Sequence, residues 1–363
     1  MKLLILMAAL LMLHPVALAD PAPEALLDQT GFPRLAALSG ELGGPDAESI
    51  ARSALSGELT IAHSLPSEAL ARLGGEVKGA LTSALSALAA PVVVTLALRM
   101  ILGQETGSLT LLCRLGCAYS LARQCAWAMG IAEGGMGDAA RIADIAAPVV
   151  AAALSLTGRA ASAAALTPLA AICVDAIQGA LIAWGLPLCG VAAVVAAGGS
   201  LSDHFRMDRL FKLVCGAVTW GAGLLIAAFV SMMTLEGRLA ASRDGVSTQA
   251  LRQALKGLIP YIGGSVSDSS GALLESALSV RNAVGVTGLL IALSAAVKPA
   301  LSLSAHMLSL KLASALIEPV ADPGIVRVTA CYGEISRALL ALYAGSAMLT
   351  ALLIGAGAGL MGF

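Results

Sequence analysis

Few residues in this 363-residue chain have the type and spacing to do chemistry. Asp175 sits in the apolar run AAICVDAIQGA with Gln178 one turn further on. A carboxylate so placed is by default a functional residue: an ion or proton site, or a line to a water-filled path. The competing reading is an interhelical hydrogen bond or a carboxyl held protonated. Arg141 and Asp144 read as an interfacial pair at i, i+3. Cys113 and Cys117 share a helix face, as a metal pair would, but no histidine or second pair stands near, which favours small buried packing residues. The seven cysteines are odd in number and scattered, so they give no disulfide framework. Histidines stand at His14, His63, His204 and His306 only, and no G-x-S-x-G elbow, H-E-x-x-H or phosphate-binding P-loop pattern occurs. Gly357, Gly359 and Gly362 match G-x-G-x-x-G in form, with no following helix to hold a pyrophosphate. The chain is therefore expected to be no enzyme, and neither a metal nor a cofactor is expected.

The elements that must position these residues belong to a membrane. Hydrophobic residues make up 58% and charged residues 12%, about half the charge of an average soluble chain, and mean hydropathy is +0.87. With a net charge of only -1, bulk electrostatics indicate neither a nucleic-acid binder nor a polybasic surface protein. Lys2, the apolar stretch Leu3 to Leu13 and Ala17-Leu18-Ala19 read as a signal peptide over residues 1–19. Residues 20–77 then form an exported segment: from Asp20 to Glu76 it holds nine acidic residues and three arginines. Its apolar groups at Leu26-Leu27, Leu35 to Leu38, Ile50 to Leu55 and Ile61 to Leu65 predict small amphipathic helices.

A bilayer span needs about 20 apolar residues. Gly79 to Leu98, Val214 to Met233 and Ala338 to Phe363 qualify alone, while Ala160 to Ser202 reads as a two-span hairpin broken at Trp184-Gly185-Leu186-Pro187. Shorter uncharged runs at Ile145 to Gly158, Asn282 to Val297 and Pro299 to Leu310 fit tilted spans, in-plane helices or re-entrant pairs. The fold class is all-α, a polytopic membrane protein with about six to eight membrane helices after the signal peptide. Residues 78–234 form a membrane helical region, 235–281 an amphipathic, polar segment and 282–363 a second membrane region. Arg114 and Arg123 interrupt the run Ser108 to Ile131, so that helix must pack within a bundle or lie near headgroups. Abundant alanine and glycine fit close helix packing through small faces, and equally a composition bias. The basic loops at Arg206 to Lys212 and Arg238 to Lys256 flank one span and cannot both lie inside, and the second is the expected exception if it folds back.

The stretch GLIPYIGGSVSDSSG, Gly257 to Gly271, interrupts the apolar pattern. Pro260 predicts a helix stop, Gly263-Gly264 a tight turn, and Ser267 or Asp268 a cap for a helix from Ser269 to Val280. It reads either as a surface loop or as a broken, cavity-lining element. With the short apolar elements at Asn282 to Val297 and Pro299 to Leu316, the cavity-lining form makes a packed unit facing partners or a pore.

From Arg243 onward the order RDGVSTQALRQALKGLIPYIGGSVSDSSG, RNAVGVTG, Lys298-Pro299 and IEPVAD at Ile317 to Asp322 resembles the stage III sporulation protein AE family. Closely, the resemblance covers about the C-terminal third; before it only the layout agrees. It marks Asp244, Gly245, Pro260, Gly263, Gly264, Ser267, Asp268, Asn282, Gly285, Pro299, Pro319 and Asp322 as structural or interaction candidates, none of them catalytic. What the resemblance implies is a non-enzymatic membrane subunit of a transenvelope, secretion-like channel complex linking mother cell and forespore. It would sit in the mother-cell membrane surrounding the forespore, beside the other stage III A proteins and the stage II protein Q. The alternative is a stand-alone secondary transporter of a small solute or ion.

Overall fold

A computed structural model describes residues 23–42, 44, 46–55, 107–157, 160–201, 207–258, 263–319 and 321–357, with isolated positions between 75 and 93; the side chains at 23–25, 107–110, 160–167, 201, 235–258, 263–276 and 356–357 are not part of that description. The expected signal segment, the run Gly79 to Leu98 apart from isolated positions, Ile61 to Leu65 and Pro260 lie outside the described residues.

Among the described residues every element is helical. Three short helices come first: α1 (Pro23–Gln29), α2 (Phe32–Glu41) and α3 (Ala47–Leu55). Gly31 takes the left-handed conformation (φ 76°) that reverses the chain between α1 and α2, a turn that a residue with a Cβ adopts at a cost. Asp46 starts α3 by accepting the backbone N–H of Glu48 (3.3 Å). The amphipathic groups expected at Leu26-Leu27, Leu35 to Leu38 and Ile50 to Leu55 are therefore helices, and their apolar faces pack on the bundle through Leu27, Phe32, Leu35 and Ala51.

The bundle comprises α4 (Gly107–Leu156), α5 (Ala160–Ala180), a π-helical turn (Leu181–Gly185), α6 (Leu186–Leu201), α7 (Asp208–Leu258), α8 (Gly263–Ile317) and α9 (Pro323–Gly357). Among the described residues, five stretches are long and apolar enough to cross a membrane: Leu111–Leu156, Pro168–Ser200, Asp208–Thr234, Ala277–Ile317 and Pro323–Gly355. The protein is thus an all-α polytopic membrane protein. Helix α9 is the central one; it packs against α4, α5, α6, α7 and α8.

Several local expectations are corrected. The hairpin at Trp184 to Pro187 is one continuous run, α5 to α6, carried through the interruption by the π turn with helical backbone on both sides. A widened turn absorbs a proline that cannot donate to the carbonyl four residues back. Trp184 is a packing knob instead: it fills a notch on α7 at Gly221, where a Cβ would collide with the indole ring. Likewise, α7 continues through residue 234 to Leu258 rather than folding back after its span. The runs at Asn282 to Val297 and Pro299 to Leu316 are one helix, α8, with Pro299 inside it.

Helix α7 is described to Leu258 and α8 from Gly263, so the stop expected at Pro260 lies outside the described residues. Gly263, Gly264, Ser267 and Asp268 therefore form the first two turns of α8, rather than a tight turn and a cap. A glycine weakens a helix by only about 1 kcal/mol relative to alanine, and an acidic residue near a helix N-terminus is favoured by the helix dipole.

Candidate functional site: the polar groups of the helix bundle

At one end of the bundle three helix termini meet. Arg114, near the start of α4, is the most deeply buried charged residue described, at 9% exposure. Its guanidinium donates from Nε to Asp322 Oδ2 (2.6 Å) and from Nη2 to Asp322 Oδ1 (3.0 Å), a bidentate fork. Nη1 donates to the carbonyl of Ser200 in the last turn of α6 (3.2 Å). Asp322 also caps α9, because its Oδ2 accepts the backbone N–H of Gly324 (3.2 Å). The anion thus sits at a helix N-terminus and the cation at a helix C-terminus, the favourable sign at both. Gly324 is bare for the same reason: a Cβ there would lie 2.7 Å from Arg114 Nε.

Further along the bundle, α4, α8 and α9 line a small, partly open cavity of about 10 Å³. Its wall includes Gly135, Asp138, Ala295, Tyr343 and Thr350. Pro299 has no N–H for the Ala295 carbonyl. One residue on, the Ala296 carbonyl accepts the Tyr343 hydroxyl (3.0 Å), a side-chain bond at the place where the proline weakens the helix. Gly135 permits the approach, since a Cβ there would meet the Tyr343 ring and lie 3.1 Å from Pro299 Cβ. Behind the cavity, Gln178 of α5 is 1% exposed and donates to Thr350 Oγ1 (3.0 Å), which itself donates to the Ala139 carbonyl (3.0 Å).

A third polar group faces outward. On α9, Arg327, Glu334 and Arg337 follow one stripe at spacings of seven and three. Glu334 bridges Lys311 of α8 (3.3 Å) and Arg337 (2.7 Å), and Arg327 stands 4.0 Å from Asp208 of α7. These side chains are 37–60% exposed. Arg337 lies 14 residues into α9, about 21 Å along its axis, so the stripe is set well inside an apolar helix. Below it, His306 is buried edge-on against Trp127, with ring centroids 5.8 Å apart.

A model of the stage III sporulation protein AE family matches residues 107–360, from the first residue of α4 to beyond α9. The chain belongs to the stage III sporulation protein AE family. A relative named stage III sporulation protein AE, from Bacillus subtilis (strain 168), is 22% identical over 165 residues, which are 46% of this chain and 41% of the relative. The chain therefore spans about two fifths of that relative's length. No solved structure matches. Membership places this multi-pass membrane protein among sporulation proteins, under a family name that denotes no enzyme class. The family match also takes in the apolar middle, well before Arg243 where the sequence resemblance is close.

The family-signature residues do not converge on one site. Asp244 and Gly245 lie on α7 beyond its span, and Gly263, Gly264, Ser267 and Asp268 on the first turns of α8. Asn282 is exposed on α8 and Gly285 buried. Asp322, together with Pro319 in the exposed turn between α8 and α9, lies at the other end of α8, about 50 Å from Asn282 and about 75–80 Å from Gly263 to Asp268. Of these candidates, Asp322 joins the arginine clamp, and Pro299 packs against Gly135 beside the cavity. Asp175 is exposed on α5, and the buried polar residue of that segment is Gln178. Arg141 pairs with Glu41 of α2 (3.0 Å) rather than with Asp144. Arg114 packs within the bundle, one of its two expected settings. The arginine's partners were not legible, because 208 residues separate it from Asp322; nor was the cavity, although a proline inside an apolar run is its signal.

Proposed function

We propose that this protein is a non-enzymatic subunit of a transenvelope, secretion-like channel complex joining mother cell and forespore, embedded in the mother-cell membrane around the forespore. It works there with other stage III A proteins and with the stage II protein Q. The observation that carries the reading is the outward stripe of Lys311, Glu334, Arg337 and Arg327. Lipid tails give such groups no hydrogen bonds, and charges within membrane helices normally face protein or water. A partner subunit or a water-filled passage on this face supplies what lipid does not. Family membership supports the sporulation setting.

The arrangement of ends supports a transenvelope role. The start of α7 brings Arg209 and Lys212 to the end that holds the arginine clamp, which suits the cytoplasmic side. At the other end, α7 continues 24 residues past Thr234, about 36 Å of helix, on the side where α1 to α3 pack. That extension is long enough to meet partners well outside the bilayer.

A secondary transporter is the second reading, and one observation favours it: three spans are interrupted, by Pro148, by the π turn at Leu181–Gly185 and by Pro299. It predicts solute uptake by the purified protein in liposomes. The subunit reading predicts none. Its own test is Arg337→Leu at the native locus: heat-resistant spores are expected to fall at least about tenfold with normal protein levels, and full spore yield would contradict the reading.

A further inference from the structure

We propose that the cavity between α4, α8 and α9 binds a single monovalent cation of sodium size. Such binding is independent of the channel reading. It follows from the polar groups in a lining otherwise of alanine, glycine and isoleucine, which are acceptor oxygens without a free donor proton.

A hydroxyl has one proton and two lone pairs. The Tyr343 proton is committed to the Ala296 carbonyl (3.0 Å) and the Thr350 proton to the Ala139 carbonyl (3.0 Å). Gln178 occupies one lone pair of Thr350 Oγ1, which leaves the other. Toward the cavity these two residues therefore have only lone pairs to offer. Ala295 also lines the cavity, and its carbonyl has lost its ordinary helical donor to Pro299. Asp138 adds a carboxylate that no hydrogen bond or ion pair reaches among the described residues. The neighbouring charges are turned elsewhere: Arg141 is held by Glu41 (3.0 Å), and Lys298 lies on the exposed side of α8.

Four oxygen-bearing groups around a space of about 10 Å³, roughly one water molecule in size, select an occupant that is small and positive. Oxygen-only ligands favour a hard ion. One carboxylate balances a single charge, whereas calcium takes six to eight oxygens and commonly several carboxylates. Backbone carbonyls released at a helix interruption are a recurrent way of holding sodium within membrane bundles. The site is also prebuilt, because Gly135 lets Pro299 and Tyr343 close on α4. Bound there, the ion ties three helices together.

The test is the melting temperature of the purified full chain in detergent, in sodium, potassium or choline chloride at equal ionic strength. Sodium is expected to raise it saturably by about 5 °C or more over choline. Asp138→Asn and Thr350→Val are expected to abolish the shift, while Asp175→Asn, at an exposed carboxylate, retains it. Equal melting in the three salts overturns the proposal, as does a full sodium shift in Asp138→Asn. An equal shift from potassium overturns the size assignment. Should Asp138→Asn fail to fold, the titration of the unaltered chain and Thr350→Val still decide.

Discussion

Two sets of ion pairs in this molecule use the same chemistry for opposite ends. The Arg114–Asp322 clamp is turned inward, with side chains 11% and 25% exposed, and Arg114 bonds a backbone carbonyl as well. The Lys311–Glu334–Arg337 chain is turned outward at 37–60% exposure. Inside, the pair closes the ends of α4, α6 and α9 and leaves little unsatisfied. Outside, each charge keeps bonding capacity that no other described residue uses. The first arrangement serves stability; the second holds a surface ready for something polar.

That contrast is most easily broken from the inside. Arg114→Leu strands the Asp322 carboxylate and the Ser200 carbonyl, and a loss of about 3–5 kcal/mol is expected, seen as a collapse of the melting temperature. Restoring apolar balance with Arg114→Leu plus Asp322→Leu should recover much of it, apart from the α9 cap. Gly221→Leu drives a side chain into Trp184; overpacking should cost about 1–3 kcal/mol in the same assay. Tyr343→Phe removes one bond to the Ala296 carbonyl, with an expected loss of about 1 kcal/mol. Smallest is Arg337→Leu, whose exposed pair should change the stability of the purified protein by less than about 1 kcal/mol. A large melting shift in this last variant would erase the distinction between the two sets.

The fold class was legible because apolar run lengths alone require membrane helices, and the small helices because Leu35, Leu38 and Ile50 follow helical spacing. Interruptions were harder. Proline and glycine weaken a helix locally, yet packing in the bundle restores it: the π turn beside Trp184 and the Tyr343 bond beside Pro299 each keep one helix continuous where the sequence reads as two. Charge placement was hardest of all. Asp175 and Arg114 both stand in apolar runs, and only the distant partners Asp322 and Ser200 decide that Arg114 is the buried one.

The outward stripe carries the functional account, so it is best tested in place. A photocrosslinking amino acid at Ala330 or Ala344, exposed positions of α9 seven residues from Arg337, would be activated in sporulating cells and the adducts sized. The account predicts discrete protein adducts from both positions, and none from Val194, an exposed apolar residue on α6. Adducts to lipid alone at Ala330 and Ala344, with no protein partner and no change on Arg337→Leu, would contradict it.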